Sequence, residues 1–138
     1  MNIYFACSIT GGRELEAVYQ QMVAGLEADG HIIPTSHLAQ AEAMHGERAL
    51  SPQDVYERDV NWIRTCDALI AEVSVPSHGV GYEIGFALNI GKPVLCLYSE
   101  ERRVSKMITG NTDPTITVRS YATLDEALLL MRNFLNGI

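Results

Sequence analysis

The stretch DALIAEVSVPSHGVGYEIGFALN, Asp67 to Asn89, decides the fold. Asp67 to Val73 is nearly continuous in apolar residues, the pattern of a parallel strand covered on both faces. A loop, Ser74 to Gly79, follows, and from Gly81 to Asn89 the periodicity is helical, with Gly91 as its stop. Pro93 to Tyr98 is then a second strand of the buried type. A strand, a glycine-bearing loop, a helix and a strand make a parallel unit with a right-handed crossover.

The same alternation continues in both directions. On the N-terminal side, Asn2 to Cys7 is a short apolar strand that runs into Ser8-Ile9-Thr10-Gly11-Gly12 and a helix from Arg13 to Ala28. Gly30 stops that helix, His31 to Pro34 reads as another short strand, and a polar, irregular segment reaches Leu50. Ser51-Pro52-Gln53-Asp54 is a helix start, with serine as N-cap, proline at the first helical position and an acid in the first turn, so Pro52 to Thr65 is predicted helical. On the C-terminal side, Thr115 to Val118 gives a last strand. Thr123 to Leu135 gives an amphipathic helix, capped by Thr123 with Glu126 three residues on. The expectation is one α/β domain over residues 1–138. It is a doubly wound, flavodoxin- or Rossmann-like parallel sheet of five strands with helices on both faces. In such a sheet the ligand crevice lies at the carboxyl ends of the strands.

Composition narrows the function. A chain of 138 residues with 47% hydrophobic and 20% charged residues has a globular balance, and at that length folding buries roughly two thirds of the unfolded surface. No apolar run approaches the about 18 residues that a membrane helix requires. The formal charge of −7 argues against polymeric nucleic acid, whose affinity comes from basic side chains that release phosphate counterions. A single nucleotide is still admissible, because backbone N–H groups and hydroxyls at a helix start hold one phosphate without a basic surface. Cys7, Cys66 and Cys96 have neither disulfide nor metal spacing, and no secretory signal pattern precedes the first strand. A cytoplasmic protein is expected. His31, His37, His45 and His78 also lack metal-ligand spacing, so no metal and no cofactor are expected.

Two loops, Cys7 to Arg13 and Ser74 to Glu83, should open at the same edge of the sheet. They carry hydroxyls at Ser8, Thr10 and Ser77, and glycines at Gly11, Gly12, Gly79 and Gly81 that let backbone amides approach an anion. Turn-shaping alone would also explain such glycines. Gly79 to Gly85 resembles a dinucleotide fingerprint, but its glycine spacing is one residue too long and Glu83 would sit where the pyrophosphate belongs. A carboxylate near a helix N-terminus instead suits a nucleophile that is kept ionised at neutral pH. Asp59, on the helix before the third strand, is an acid beside an apolar stripe. Cys7 at a strand end reads as a buried thiol.

Taken together these segments resemble the nucleoside 2-deoxyribosyltransferase superfamily, most closely its 2′-deoxynucleoside 5′-monophosphate N-glycosidase branch. The pieces that carry the likeness are Tyr4-Phe5-Ala6-Cys7-Ser8-Ile9-Thr10-Gly11-Gly12-Arg13, Glu57-Arg58-Asp59 with Trp62, Ala71-Glu72-Val73, Pro76 through Gly85, Lys92-Pro93 and Ser105-Lys106-Met107-Ile108. The resemblance implies that Glu83 attacks the anomeric carbon to form a covalent glycosyl enzyme that water resolves. It implies that Asp59 manages protons and that Tyr4 stands near the sugar, where it crowds a 2′-hydroxyl. Ser8, Ile9, Thr10, Gly11, Gly12, Arg13, Ser77 and Gly79 match the phosphate cradle. Ser105 and Met107 match a segment lent across a homodimer interface.

One position departs from that pattern. The phosphate loop of this branch typically reads Ser-Ile-Arg-Gly-Gly-Arg, and here Thr10 replaces the first arginine. A hydrogen bond to a charged group is worth about 1.5–3 kcal/mol, so affinity for a monophosphate falls by one to two powers of ten unless Arg13 or Lys106 compensates. Hydrolysis of deoxynucleoside monophosphates is the first expectation, base exchange between deoxynucleosides is its rival, and a non-catalytic nucleotide sensor is a third reading.

Overall fold

The computed structural model describes residues 1–9, 15–39 and 50–138. Its sheet contains β1 (Ile3–Ala6), β2 (Ala68–Glu72), β3 (Val94–Ser99) and β4 (Ile116–Tyr121), paired in that order. Every pairing is parallel, Tyr4 lying opposite Leu69, Leu69 opposite Val94 and Val94 opposite Ile116. The helices are α1 (Glu16–Ala28), α2 (Pro52–Thr65), α3 (His78–Asn89), the single turn α4 (Lys106–Thr109) and α5 (Leu124–Leu135), with a 3₁₀ turn at Ser36–Ala39.

Alternation along the strands sorts side chains into two layers. Ile3, Phe5, Ile70, Leu95 and Leu97 pack with Tyr19, Met22 and Leu26 of α1 and Ala127, Met131 and Leu135 of α5. Tyr4, Ala6, Leu69, Ala71 and Cys96 face the other way, onto Ile63 of α2 and Val80, Ile84 and Ala87 of α3. Local signals hold the helices in register. Ser51 Oγ accepts from the Asp54 amide at 3.1 Å while Asp54 accepts from the Ser51 amide at 3.3 Å, the reciprocal box that satisfies two donors at the start of α2. Thr123 accepts from the Glu126 amide at 3.2 Å, and Glu126 reaches one residue further back, to the Ala122 amide at 2.8 Å. Gly30 and Gly91, at φ of 85° and 73°, end α1 and α3 in the left-handed region that suits glycine.

The expected five strands are four among the described residues. His31 to Pro34 contributes only an isolated bridge, Ile32 with Asn2, through Ile3 N–H to Ile32 O at 2.8 Å and Ile32 N–H to Met1 O at 2.9 Å. The reason lies in the next residues. Pro34 has no N–H to extend a ladder, and beyond it the Thr35 hydroxyl does both jobs a strand residue would do, accepting from Phe5 N at 3.1 Å and donating to Phe5 O at 2.8 Å. The last strand, expected to end at Val118, instead runs to Tyr121 in register with β3.

The chain leaves β1 through α1 toward the Ile32 side and returns through α2 to place β2 on the other side. The carboxyl end of β1 is therefore the point where strand order reverses, which is where open α/β sheets hold ligands.

Candidate active site

Tyr4 stands on β1 in the layer that faces α2 and α3, and it is 1% exposed. On α3, Val80, Ile84 and Ala87 form the buried stripe, which brings the neighbouring Glu83 to the edge of the sheet. The two meet directly: Tyr4 OH donates to Glu83 Oε1 at 2.8 Å across 79 positions of sequence. Asp59 comes from α2, beside the buried Val60, and forms an ion pair of 2.9 Å with Arg58 Nε. Arg58 in turn lies over the Trp62 ring, 4.8 Å from its centre, and the Trp62 and His37 rings meet in a T-shape with their centres 5.8 Å apart. The charges of both Asp59 and Arg58 act on Glu83 and on Tyr4.

This surrounding changes the chemistry of Glu83. Burial pushes its carboxyl up from 4.5 to about 7, the Asp59 charge adds to the rise, and the Tyr4 hydrogen bond and Arg58 oppose it. The sequence led to the opposite expectation, of a carboxylate held ionised by a helix N-terminus. That effect fades beyond the first turn, and α3 begins at His78, so Glu83 is in its second turn. Desolvation therefore wins. Burial first, then the two carboxylates, drive the Tyr4 hydroxyl well above its ordinary value, so Tyr4 is a permanent donor. Cys7 is pushed up to about 12, mainly by burial, and it offers no thiolate.

The candidate phosphate residues fall into two groups. Ser8 is buried at the end of β1 with Ile9 half-buried after it, whereas Thr10, Gly11, Gly12 and Arg13 lie outside the described residues. Ser77 caps α3, its Oγ accepting from the Val80 amide at 3.4 Å. A Cβ on Gly79 would come no closer than 3.8 Å to anything, and one on Gly81 would meet nothing within 4 Å. Neither has a positive φ. The chain's own packing thus demands a glycine at neither position, and the helix start remains open to an approaching group.

Ser77, Gly81 and Ile84 also line a cleft of about 680 Å³, opposite Arg103, Ser105 and Met107. The structure thereby joins Ser77 with Ser105 and Met107 in one wall system. Ser105 is exposed and caps α4, accepting from the Met107 amide at 3.2 Å. Glu83, Asp59 and Tyr4 do not line this cleft. Sequence reasoning passed over Arg103, which has no hydrogen bond or ion pair among the described residues. Lys106, named in its place, is not in the cleft wall. The doublet Arg102-Arg103, two residues ahead of Ser105, was the available signal. Among the described residues no group of three His, Cys, Asp or Glu side chains could hold a metal ion, and no helix is long and apolar enough to cross a membrane.

The family model described as nucleoside 2-deoxyribosyltransferase matches residues 3–127. A 5-hydroxymethyl-dUMP N-hydrolase of Mus musculus is 42% identical over 96% of this chain and 79% of its own length. Its namesake from Rattus norvegicus is 41% identical over 96% and 84%. Among solved structures, the Clostridium botulinum CMP N-glycosidase BcmB superposes with a TM-score of 0.75 at 22% identity, covering 97% of this chain and 99% of its own, a likeness of fold. The chain belongs to the nucleoside 2-deoxyribosyltransferase family.

Proposed function

We propose that this protein hydrolyses the N-glycosidic bond of 2′-deoxynucleoside 5′-monophosphates, with Glu83 as nucleophile. The observation that carries the reading is the buried Tyr4 to Glu83 hydrogen bond of 2.8 Å, set beside the Asp59 and Arg58 pair. The relatives named as deoxynucleotide N-hydrolases support it. In the first step ionised Glu83 bonds to the anomeric carbon as the carbon–nitrogen bond breaks, its electron pair leaving with the base, which takes a proton from solvent. In the second step water attacks the same carbon, ionised Asp59 takes the water's proton and returns it to solvent, and the bond to Glu83 breaks to free 2-deoxyribose 5-phosphate and restore the carboxylate. This is the double displacement of a retaining glycosidase. Tyr4 donates to Glu83 and steadies its charge before attack and after release.

The phosphate sits, in this reading, over Ser8, Ser77 and the amides around Gly79, with Ile9, Thr10, Gly11, Gly12 and Arg13 completing the cradle. Arg103, which lines the cleft with Ser77 and has no hydrogen bond or ion pair among the described residues, supplies the cation that Thr10 does not. A homodimer covers the cleft, presenting Ser105 and Met107 to the neighbouring subunit. Its apolar lining and a Met107 side chain that is 82% exposed favour this. The three cysteines, all free and buried, suit a reducing cytoplasm.

The rival reading, base exchange, is favoured by the absence of arginine at position 10. Turnover of a deoxynucleoside monophosphate in the presence of a second free base separates the two. A hydrolase yields only base and 2-deoxyribose 5-phosphate, whereas a new nucleotide or nucleoside carrying the second base would replace hydrolysis with exchange.

A further inference from the structure

The reaction as proposed leaves one buried acid unused. Glu72, the last residue of β2, is 0% exposed in the layer opposite Tyr4. A carboxyl at such a depth persists only when its oxygens are satisfied, and here three hydrogen bonds from two residues, Ser74 and Tyr121, do so. Oε1 accepts from Tyr121 OH, at the end of β4, at 3.0 Å, and from the Ser74 hydroxyl. Oε2 accepts from the Ser74 amide at 3.3 Å. The Ser74 hydroxyl itself accepts from the Ser99 amide, at the end of β3, at 2.7 Å. Tyr19 of α1 stands near enough for Glu72 to act on its hydroxyl without a hydrogen bond of proper geometry, and Cys7 feels the same charge. Among the described residues Glu72 has no basic partner.

The consequence is mechanical. Ser74 is the first residue past the described end of the ladder, where Val73 N–H still bonds Leu97 O at 2.8 Å. Glu72 holds both the backbone and the side chain of Ser74, and through it ties this turn to the carboxyl ends of β3 and β4. Three residues later Ser77 caps α3, and six further on comes Glu83. Pro76 is exposed and Ser77 only half-buried, so Glu72 anchors this segment from below.

We propose that Glu72 is a positioning residue for the phosphate side of the active site, fixing the Ser74 to Ser77 segment so that Ser77 and the first amides of α3 meet the substrate's 5′-phosphate. The inference rests on the reading of Ser77 as a phosphate ligand. Glu72→Gln tests it with little change of shape: the amide keeps one acceptor oxygen for Tyr121 and the Ser74 hydroxyl, but turns an NH₂ group onto the Ser74 amide, donor against donor.

Two measurements on this variant decide the matter. Amide hydrogen exchange should accelerate about tenfold or more over residues 74–81 while the amides of α5 remain unchanged. The KM for a deoxynucleoside monophosphate should rise about tenfold, as for the loss of one phosphate contact, with kcat nearly constant. Loss of kcat without a rise in KM, or unchanged exchange over 74–81, would overturn the proposal. If Glu72→Gln does not fold, Ser74→Ala, which removes the bridging hydroxyl but keeps Glu72, carries the same expectations. If wild-type protein cleaved no nucleotide, the proposed function would fall, and exchange over 74–81 would still decide whether Glu72 anchors the segment.

Discussion

At the scale of single residues, the chemistry turns on a competition around Glu83. Burial raises its carboxyl to about 7, against the pull of the Tyr4 hydroxyl, so the proposed nucleophile exists in quantity only as pH climbs through that value. The folded protein then binds a proton that the unfolded chain, near 4.5, has already lost. Stability must therefore fall as pH rises from about 4.5 to about 7, by roughly 2–3 kcal/mol at about 1.4 kcal/mol per unit. Glu83→Gln keeps an acceptor for Tyr4 and removes the charge. Urea unfolding should find it more stable than wild type by that amount at pH 8 and no different near pH 4; an equal gain at both would mean that Glu83 is not desolvated. Tyr4→Phe removes a contact that lowers the Glu83 value, so kcat/KM should drop and its rising limb should move to higher pH. An unmoved limb would separate Tyr4 from the nucleophile. The residue types Tyr4, Asp59 and Glu83 were legible in the sequence. The protonation of Glu83 was not, because it depends on burial created by β1 and α2, far away in the chain.

At the scale of elements, short-range rules carried well where the partners are neighbours in sequence. Ser51, Pro52 and Asp54 marked the start of α2 because an N-cap is settled within four residues. The His31 to Pro34 segment fails as a strand partly because Pro34 lacks an N–H, which the sequence displays, and partly because the Thr35 hydroxyl takes over the pairing with Phe5 from 30 residues away, which it does not. Thr35 is 1% exposed. Thr35→Val, nearly the same shape, would leave the Phe5 N–H and C=O both unpaired in the interior, at about 1–3 kcal/mol for each group left unsatisfied. A loss of about 2–4 kcal/mol in denaturant unfolding is expected. A loss below about 0.5 kcal/mol, typical of a surface change, would show that the hydroxyl does not stand in for a strand.

For the molecule as a whole, the order of strands places the carboxyl end of β1 at the reversal point, and α2 and α3 bring Asp59 and Glu83 to one layer beside Tyr4. Tyr4 and the catalytic role of Asp59 were named only through the family resemblance, whereas the crevice at the carboxyl ends of the strands followed from alternating strands and helices. The cleft lined by Ser77, Arg103 and Met107 did not, since it depends on how the segment after β3 folds back toward α3. The proposed dimer predicts a mass of two chains in sedimentation at micromolar concentration and a single chain for Met107→Glu, which sets a charge in the covered face; a wild-type monomer would remove the dimer from the account. The central claim, cleavage of deoxynucleotides by Glu83, is tested most directly by following free-base release from matched deoxynucleoside monophosphates, ribonucleoside monophosphates and deoxynucleosides, with Glu83→Ala beside wild type. The account predicts release by wild type from the deoxynucleoside monophosphates, little from the other two sets, and a fall of at least about a thousandfold in Glu83→Ala, of the order of removing a covalent nucleophile. Equal release by Glu83→Ala and wild type would contradict it.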